Sequence, residues 1–137
     1  MRKVDWHRME GQSAVELALL LPVLLTLTMG VVDAGRLFGS WIAITNAARE
    51  GARYASMFTD SVTTTAIQDY TIAEATGSGF AALTRSEVTI STPSGWGNGK
   101  PVVVTIVYPV TLMTTRPFGT RSVNLRARTE MVQIRGE

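Results

Sequence analysis

The sequence has no cysteine, so disulfides, thiolate metal sites and cysteine nucleophiles are all ruled out. Its only histidine, His7, lies in the polar N-terminal stretch. Histidine-based triads and histidine metal sites are thereby excluded from the body of the chain. No Gly-Lys-Ser/Thr phosphate loop and no calcium-loop spacing occurs. Gly77-Ser-Gly79-Phe-Ala-Ala fits G-x-G-x-x-A on paper, but it lacks the preceding strand and βαβ setting, so it reads as a helix end and loop. Asp60, Asp69, Glu74, Glu87 and Glu130 are scattered and read as solvated or capping groups. A formal net charge of +2 is too small for a nucleic-acid partner. Arg116, Arg121, Arg126 and Arg128 form the only loose basic cluster, and Arg126 and Arg128 share one strand face. The expectation is a protein that is not an enzyme and holds no cofactor or metal.

What is present is one long apolar stretch. Gly11-Gln-Ser-Ala-Val-Glu16 leads into Leu17 to Val32, which carries no charge. A helix needs about 20 such residues to cross a bilayer at 1.5 Å each, so this stretch reads as a membrane span with Glu16 at its mouth. The polar leader before it carries Arg2, Lys3 and Arg8, whereas the next cations after it are Arg36 and Arg49. That bias places the N-terminus in the cytoplasm and the C-terminal bulk outside. Pro22 would break or kink a soluble helix, but such breaks are tolerated in membranes when neighbours supply partners. Asp33 and Arg36 can pair three apart, and Phe38 and Trp41 are expected near the headgroups.

From Leu37 to Met57 the pattern turns amphipathic, with Leu37, Trp41, Ile44, Ala48, Ala52 and Ala55 at steps of three and four. Gln12 to Phe58 is therefore expected as one helix, half in lipid and half outside. Ala66 to Thr76 reads as a short second helix capped by Gly77. Glu87 to Thr92, Val102 to Val110 and Ser122 to Ile134 read as strands, with Asn98-Gly99 as a hairpin signal and a turn around Pro117 and Gly119. Tight turns between them favour an antiparallel meander covering the outer helix. The organisation expected is a leader (1–11), a transmembrane helix (12–35), its extramembrane continuation (36–58) and a small α+β domain (59–137). Gly35 and Gly39 have the Gly-x-x-x-Gly spacing that lets helices touch. Trp96, flanked by glycines, could meet a neighbouring subunit or fold back over the sheet.

Two motifs go further than composition. Gly11 followed by Gln12-Ser-Ala-Val and Glu16, after a basic leader, resembles a type IV prepilin, in which a membrane peptidase cuts after the glycine. Asn46-Ala-Ala-Arg49-Glu50-Gly51-Ala-Arg53-Tyr54-Ala, together with Gly30-Val-Val-Asp33-Ala-Gly35-Arg36, is similar to the TadE-like family of the bacterial tight-adherence (Flp) pilus machinery. Leu17 departs from the aromatic residue often found after the glutamate.

The resemblance implies a pilin-like fold and cleavage between Gly11 and Gln12, with Glu16 as an assembly contact. It also implies a place in the bacterial inner membrane with the outer domain periplasmic or extracellular. The implied partners are a prepilin peptidase, other minor pilins or pseudopilins, the major pilin, the inner-membrane assembly platform and the lipid bilayer. Two other readings stay open: an unprocessed bitopic envelope protein with an outer binding domain, and a domain released by signal peptidase near Val32-Asp33-Ala34.

Overall fold

The computed structural model describes residues 6–57, 62–116 and 119–134, with side chains from Gly11 onward. Phe58, Asp60 and Pro117, which figure in the sequence reading, lie outside the described residues, and of His7 only the backbone is described. The fold is α+β: a long N-terminal helix, a short second helix and a three-stranded antiparallel sheet.

Helix α1 runs Trp6–Met57 without interruption. Its 52 residues make it about 78 Å long at the standard rise. It starts six residues before the expected Gln12, so Gly11 lies within the helix and not at its head. Pro22 sits inside it. Two hydroxyls near the proline bond back into the helix, Thr26 to the Pro22 carbonyl at 2.8 Å and Thr28 to the Leu24 carbonyl. These threonines therefore present no unsatisfied polar group to an apolar surrounding.

From Gly11 to Val32 every side chain is exposed, apart from the half-buried Gly30. Burial begins abruptly at Asp33. It continues through Ser40, Ala43, Ile44, Ala47, Ala48, Gly51, Ala52, Ala55 and Ser56, a stripe at steps of three and four. The expected stripe included Trp41, which is instead 48% exposed. The face is rotated by one residue: Ser40 turns inward because its hydroxyl donates to the Phe80 carbonyl at 2.9 Å. Most side chains of the stripe are Ala, Gly or Ser, so neighbouring backbones can come close to the helix.

Helix α2 spans Thr64–Gly77, two residues earlier than expected because Thr63 accepts the Ala66 N–H at 3.2 Å and caps it. Gly77 does not cap its far end. Ser78 takes that place in a right-handed conformation, and the left-handed turn falls on Gly79 at φ +74°. A 3-10 turn, Arg85–Glu87, follows. The Glu87 carboxylate accepts the Thr84 N–H at 2.7 Å, which holds Glu87 out of the strand expected to start there.

The strands are β1 (Val88–Ser91), β2 (Pro101–Thr111) and β3 (Ser122–Val132), in that spatial order. Pairing sets Val88 opposite Ile106, Ile106 opposite Ala127 and Val104 opposite Thr129. Val88, Val102, Val104, Ile106 and Ala127 thus share the face turned to α1. Fully burying an aliphatic side chain contributes roughly 1.5–3 kcal/mol, and Ile44, Ile67, Ile106, Val88, Val102 and Val104 all qualify. These residues come from both helices and two strands, so α1 is a structural member of the domain.

The strand connections, 92–100 and 112–121, are not the tight turns expected. Gly95, Gly97 and Gly99 adopt positive φ, and the loop they build is held by Gln133. That residue accepts the Gly97 N–H on its side chain and the Gly99 N–H on its carbonyl, both at 2.9 Å. β3 ends at Val132 because Ile134 turns its N–H to the Ser56 carbonyl at 3.0 Å, closing the sheet onto the end of α1.

Candidate functional site

The features that stand out for function lie along α1, from its exposed end to its packed end. Gly11, Gln12 and Glu16 occupy the exposed part, and the Gln12 amide donates to Glu16 Oε1 at 3.3 Å. Nothing lies within 4 Å of a side chain built at Gly11. Glycine costs a helix interior about 1 kcal/mol relative to alanine, so α1 is locally weakened at the 11–12 peptide.

Asp33 marks the first turn of α1 to be packed. Its carboxylate accepts three hydrogen bonds from the β2–β3 connection: Met113 N–H at 2.9 Å, Thr114 N–H at 2.8 Å and the Thr114 hydroxyl at 2.6 Å. Arg36 stands 3.4 Å away and also donates to the Thr111 carbonyl at 3.2 Å. The expected Asp33–Arg36 pair forms, but it is secondary to the loop bonds. The donors lie about eighty positions downstream, so nothing beside Asp33 in the sequence identifies them.

Gly35 and Gly39 do not share one fate. Gly35 has open space around it, whereas a side chain at Gly39 would come 2.5 Å from the Phe80 ring. The close approach at Gly39 is therefore made within the chain. Phe80, 57% exposed, borders an open groove of about 650 Å³ between α1 and the end of α2, floored by Gly35, Ile42 and Ala73.

Higher up, the remaining motif residues separate into packing and surface roles. Gly51 is where the helices touch: a side chain there would lie 2.1 Å from Thr71 Oγ1. Thr71 is fully buried and donates to the Ile67 carbonyl at 2.7 Å. Tyr54 stacks on Tyr70 with centroids 4.5 Å apart and planes 10° from parallel, adding a second link between α1 and α2. Arg53 pairs with Glu50 at 2.9 Å. Asn46 and Arg49 remain exposed and, with Glu50 and Glu74, line a shallow polar depression.

A two-pronged pair joins Arg85 to Asp69 at 2.8 Å for each prong. The guanidinium holds the Asp69 carboxyl below its ordinary range, and the carboxylate raises Arg85 in turn. Both side chains are more than half exposed, so the pair mainly orients α2 against the 3-10 turn and adds little stability.

Trp96 is 36% exposed, and its carbonyl accepts the Lys100 ammonium at 3.2 Å. Its loop stands at the far end of the domain, pinned through Gln133. Among the described residues no group of acidic or histidine side chains is arranged to hold a metal ion.

The helix from Gly11 onward is long and apolar enough to cross a membrane, and its most apolar window is not buried inside the protein. No curated protein and no solved structure matches the chain. A family model does match residues 11–53, the stretch holding Gly11, Glu16, Asp33, Gly51 and Arg53, and its description is TadE-like protein. In its motif-bearing stretch along α1 the chain is similar to TadE-like proteins.

Proposed function

We propose that this chain is a minor pilin or pseudopilin of a tight-adherence pilus, a membrane-anchored, non-enzymatic subunit that helps start or assemble the filament. The observation that carries this reading is the Gly11-to-Glu16 spacing where the exposed apolar stretch of α1 begins, within the segment matched by the TadE-like model. Cleavage after Gly11 by a prepilin peptidase would leave Gln12 with a free α-amine. A carboxylate in hydrocarbon costs roughly 3 kcal/mol at a helix centre on insertion scales and less toward the edge. Glu16 therefore favours a cationic partner, and the new amine of its own or a neighbouring chain supplies one. Such pairing fixes how far one helix slides along another during assembly.

In this reading the chain crosses the bacterial inner membrane once, with its outer domain on the periplasmic side. Other minor pilins, the major pilin and the assembly platform are its partners. Gly35, left open beside the groove, is offered to a neighbouring helix, and Trp96 at the far end to a neighbouring subunit.

The test is deletion of the chain followed by complementation. Surface pili, counted by electron microscopy after shearing, are lost on deletion and restored by the wild type, and Glu16→Ala fails to restore them. Normal piliation in the deletion strain contradicts the proposal and favours an unprocessed bitopic envelope protein.

A further inference from the structure

The end of the outer domain nearest the apolar helix carries a charge pattern that the family resemblance does not explain. Three segments meet there: the start of the packed part of α1, the Phe80 turn and the 112–121 connection. Arg36 is about 40% exposed at its side chain, and Arg116 and Arg121 are both exposed.

The arginines are held at one level by backbone bonds. The Arg36 guanidinium donates to the Thr111 carbonyl, the Arg116 N–H to the Met113 carbonyl at 3.1 Å, and the Leu112 N–H to the Arg121 carbonyl at 3.0 Å. The Arg121 N–H reaches Thr115 Oγ1 at 3.3 Å. Neither Arg116 nor Arg121 has a carboxylate partner among the described residues. Asp33 is 5% exposed and enclosed by its loop bonds, and the exposed Glu74 borders the groove beside Phe80, on the α2 side and away from the 112–116 segment. Glu50, Asp69, Glu87 and Glu130 belong to the middle and far parts of the domain. Sequence separation hides this grouping, since Arg116 and Arg121 lie about eighty positions from the helix they flank.

The helix fixes the height of the cluster. With the hydrocarbon edge at Val32, the last uncharged residue, Asp33 and Arg36 lie about 1.5 and 6 Å further along the axis. The headgroup layer is about 5–7 Å thick on each side, so Arg36 falls within it, and the Asp33 and Thr111 bonds bring the segment bearing Arg116 beside it. Met113, 39% exposed, and Phe80 add apolar surface at the same end. Trp41, about 13 Å above Val32 by the same rise, stands clear of that layer.

We propose that this end of the domain is a lipid-binding foot, in which Arg36, Arg116 and Arg121 engage the phosphates of anionic headgroups in the bilayer that holds the helix. The inference rests on the membrane-anchored reading above and adds to it a second, electrostatic attachment. That attachment sets the domain against the membrane before it is handed to a filament. Moving the chain from bilayer to pilus must break it, so anionic lipid retains the unassembled subunit.

The absence of cysteine allows a direct test with single-cysteine variants of the full chain. Val23→Cys, Met113→Cys and Ser94→Cys are each labelled with an environment-sensitive fluorophore. Each is then reconstituted in vesicles of phosphatidylcholine, with or without phosphatidylglycerol. The label at 113 is expected to be shielded from a water-soluble quencher when phosphatidylglycerol is present and released by high salt, while the label at 94 stays open throughout. Adding Arg116→Gln and Arg121→Gln should reduce the ratio of membrane-bound to free states by about fivefold for each arginine removed. Both side chains are exposed and have no carboxylate partner among the described residues, and unchanged circular dichroism confirms an intact fold. A label at 113 as accessible as that at 94, or shielding indifferent to phosphatidylglycerol and to the arginines, overturns the foot. A label at 23 that is not immersed overturns the anchored reading itself.

Discussion

Gly51→Val destabilises the outer domain by about 3 kcal/mol, at the upper end of the range for overpacking a core. At this position α1 and α2 approach so closely that a Cβ would stand 2.1 Å from Thr71 Oγ1 and 3.2 Å from Thr71 Cβ. Thr71 cannot swing aside freely, because it is fully buried and its hydroxyl is bonded to the Ile67 carbonyl. The helices must separate, which loosens Ile67, Ala52 and Ala55 in the adjoining core. Against a total stability of about 5–15 kcal/mol, such a loss removes a large share.

Two further variants isolate the cause. Gly51→Ala costs less, because alanine returns about 1 kcal/mol of helix propensity. Thr71→Ala removes the atom nearest the clash, so the Gly51→Ala, Thr71→Ala double variant should recover stability, with a coupling of at least about 1 kcal/mol. Denaturant unfolding of the full chain in detergent, followed by near-ultraviolet circular dichroism, provides the measurement. Additive single effects would show that Gly51 is not required for the close approach.

Asp33→Ala is the second large change, worth about 3 kcal/mol. It removes the acceptor of the Met113 and Thr114 N–H groups and of the Thr114 hydroxyl at once. Hydrogen bonds to a charged group contribute about 1.5–3 kcal/mol each, and donors left unsatisfied add desolvation cost. Solvation of the released loop offsets part of the sum. Asp33→Asn keeps one good acceptor and should fall between alanine and the wild type. Amide hydrogen exchange separates local from global effects: Met113 and Thr114 lose protection in Asp33→Ala while the centre of β2, around Val104, keeps most of its own. Unchanged protection at 113 and 114 would mean that the loop is held by something other than this carboxylate.

The same bonds bear on where the membrane ends. The sequence reading placed the boundary after residue 35, by the end of the apolar run and the first charged pair. The domain reaches down to Asp33, so its loop shares a level with residues once assigned to the span.

How much of this could be read beforehand depends on the range of the signal. The long helix, the second helix and the strand centres are set by local periodicity and turn residues, and they fall close to where the pattern puts them. The rotation of the buried stripe from Trp41 to Ser40 was not legible, because it depends on Phe80, forty positions away. The Asp33 clamp was hidden for the same reason, although an Asp directly after an apolar run is the clue that would have justified seeking distant donors. Gly51 was visible as part of a motif but had no stated cause. Its cause, close contact with Thr71, appears only once the two helices are set together. Gly39 was read only as part of a spacing that lets helices touch, and the contact it makes, with the Phe80 ring of the same chain, depends on a residue some forty positions away.

The central claim is that this chain enters pilus assembly as a processed, membrane-anchored subunit, and the mature N-terminus tests it most directly. The chain is isolated from native membranes and its intact mass and first residues are determined by mass spectrometry. The mature chain is expected to begin at Gln12, with the first eleven residues removed, and a Gly11→Ala variant to retain them. A wild-type chain that still begins at Met1 in a piliated cell would contradict it.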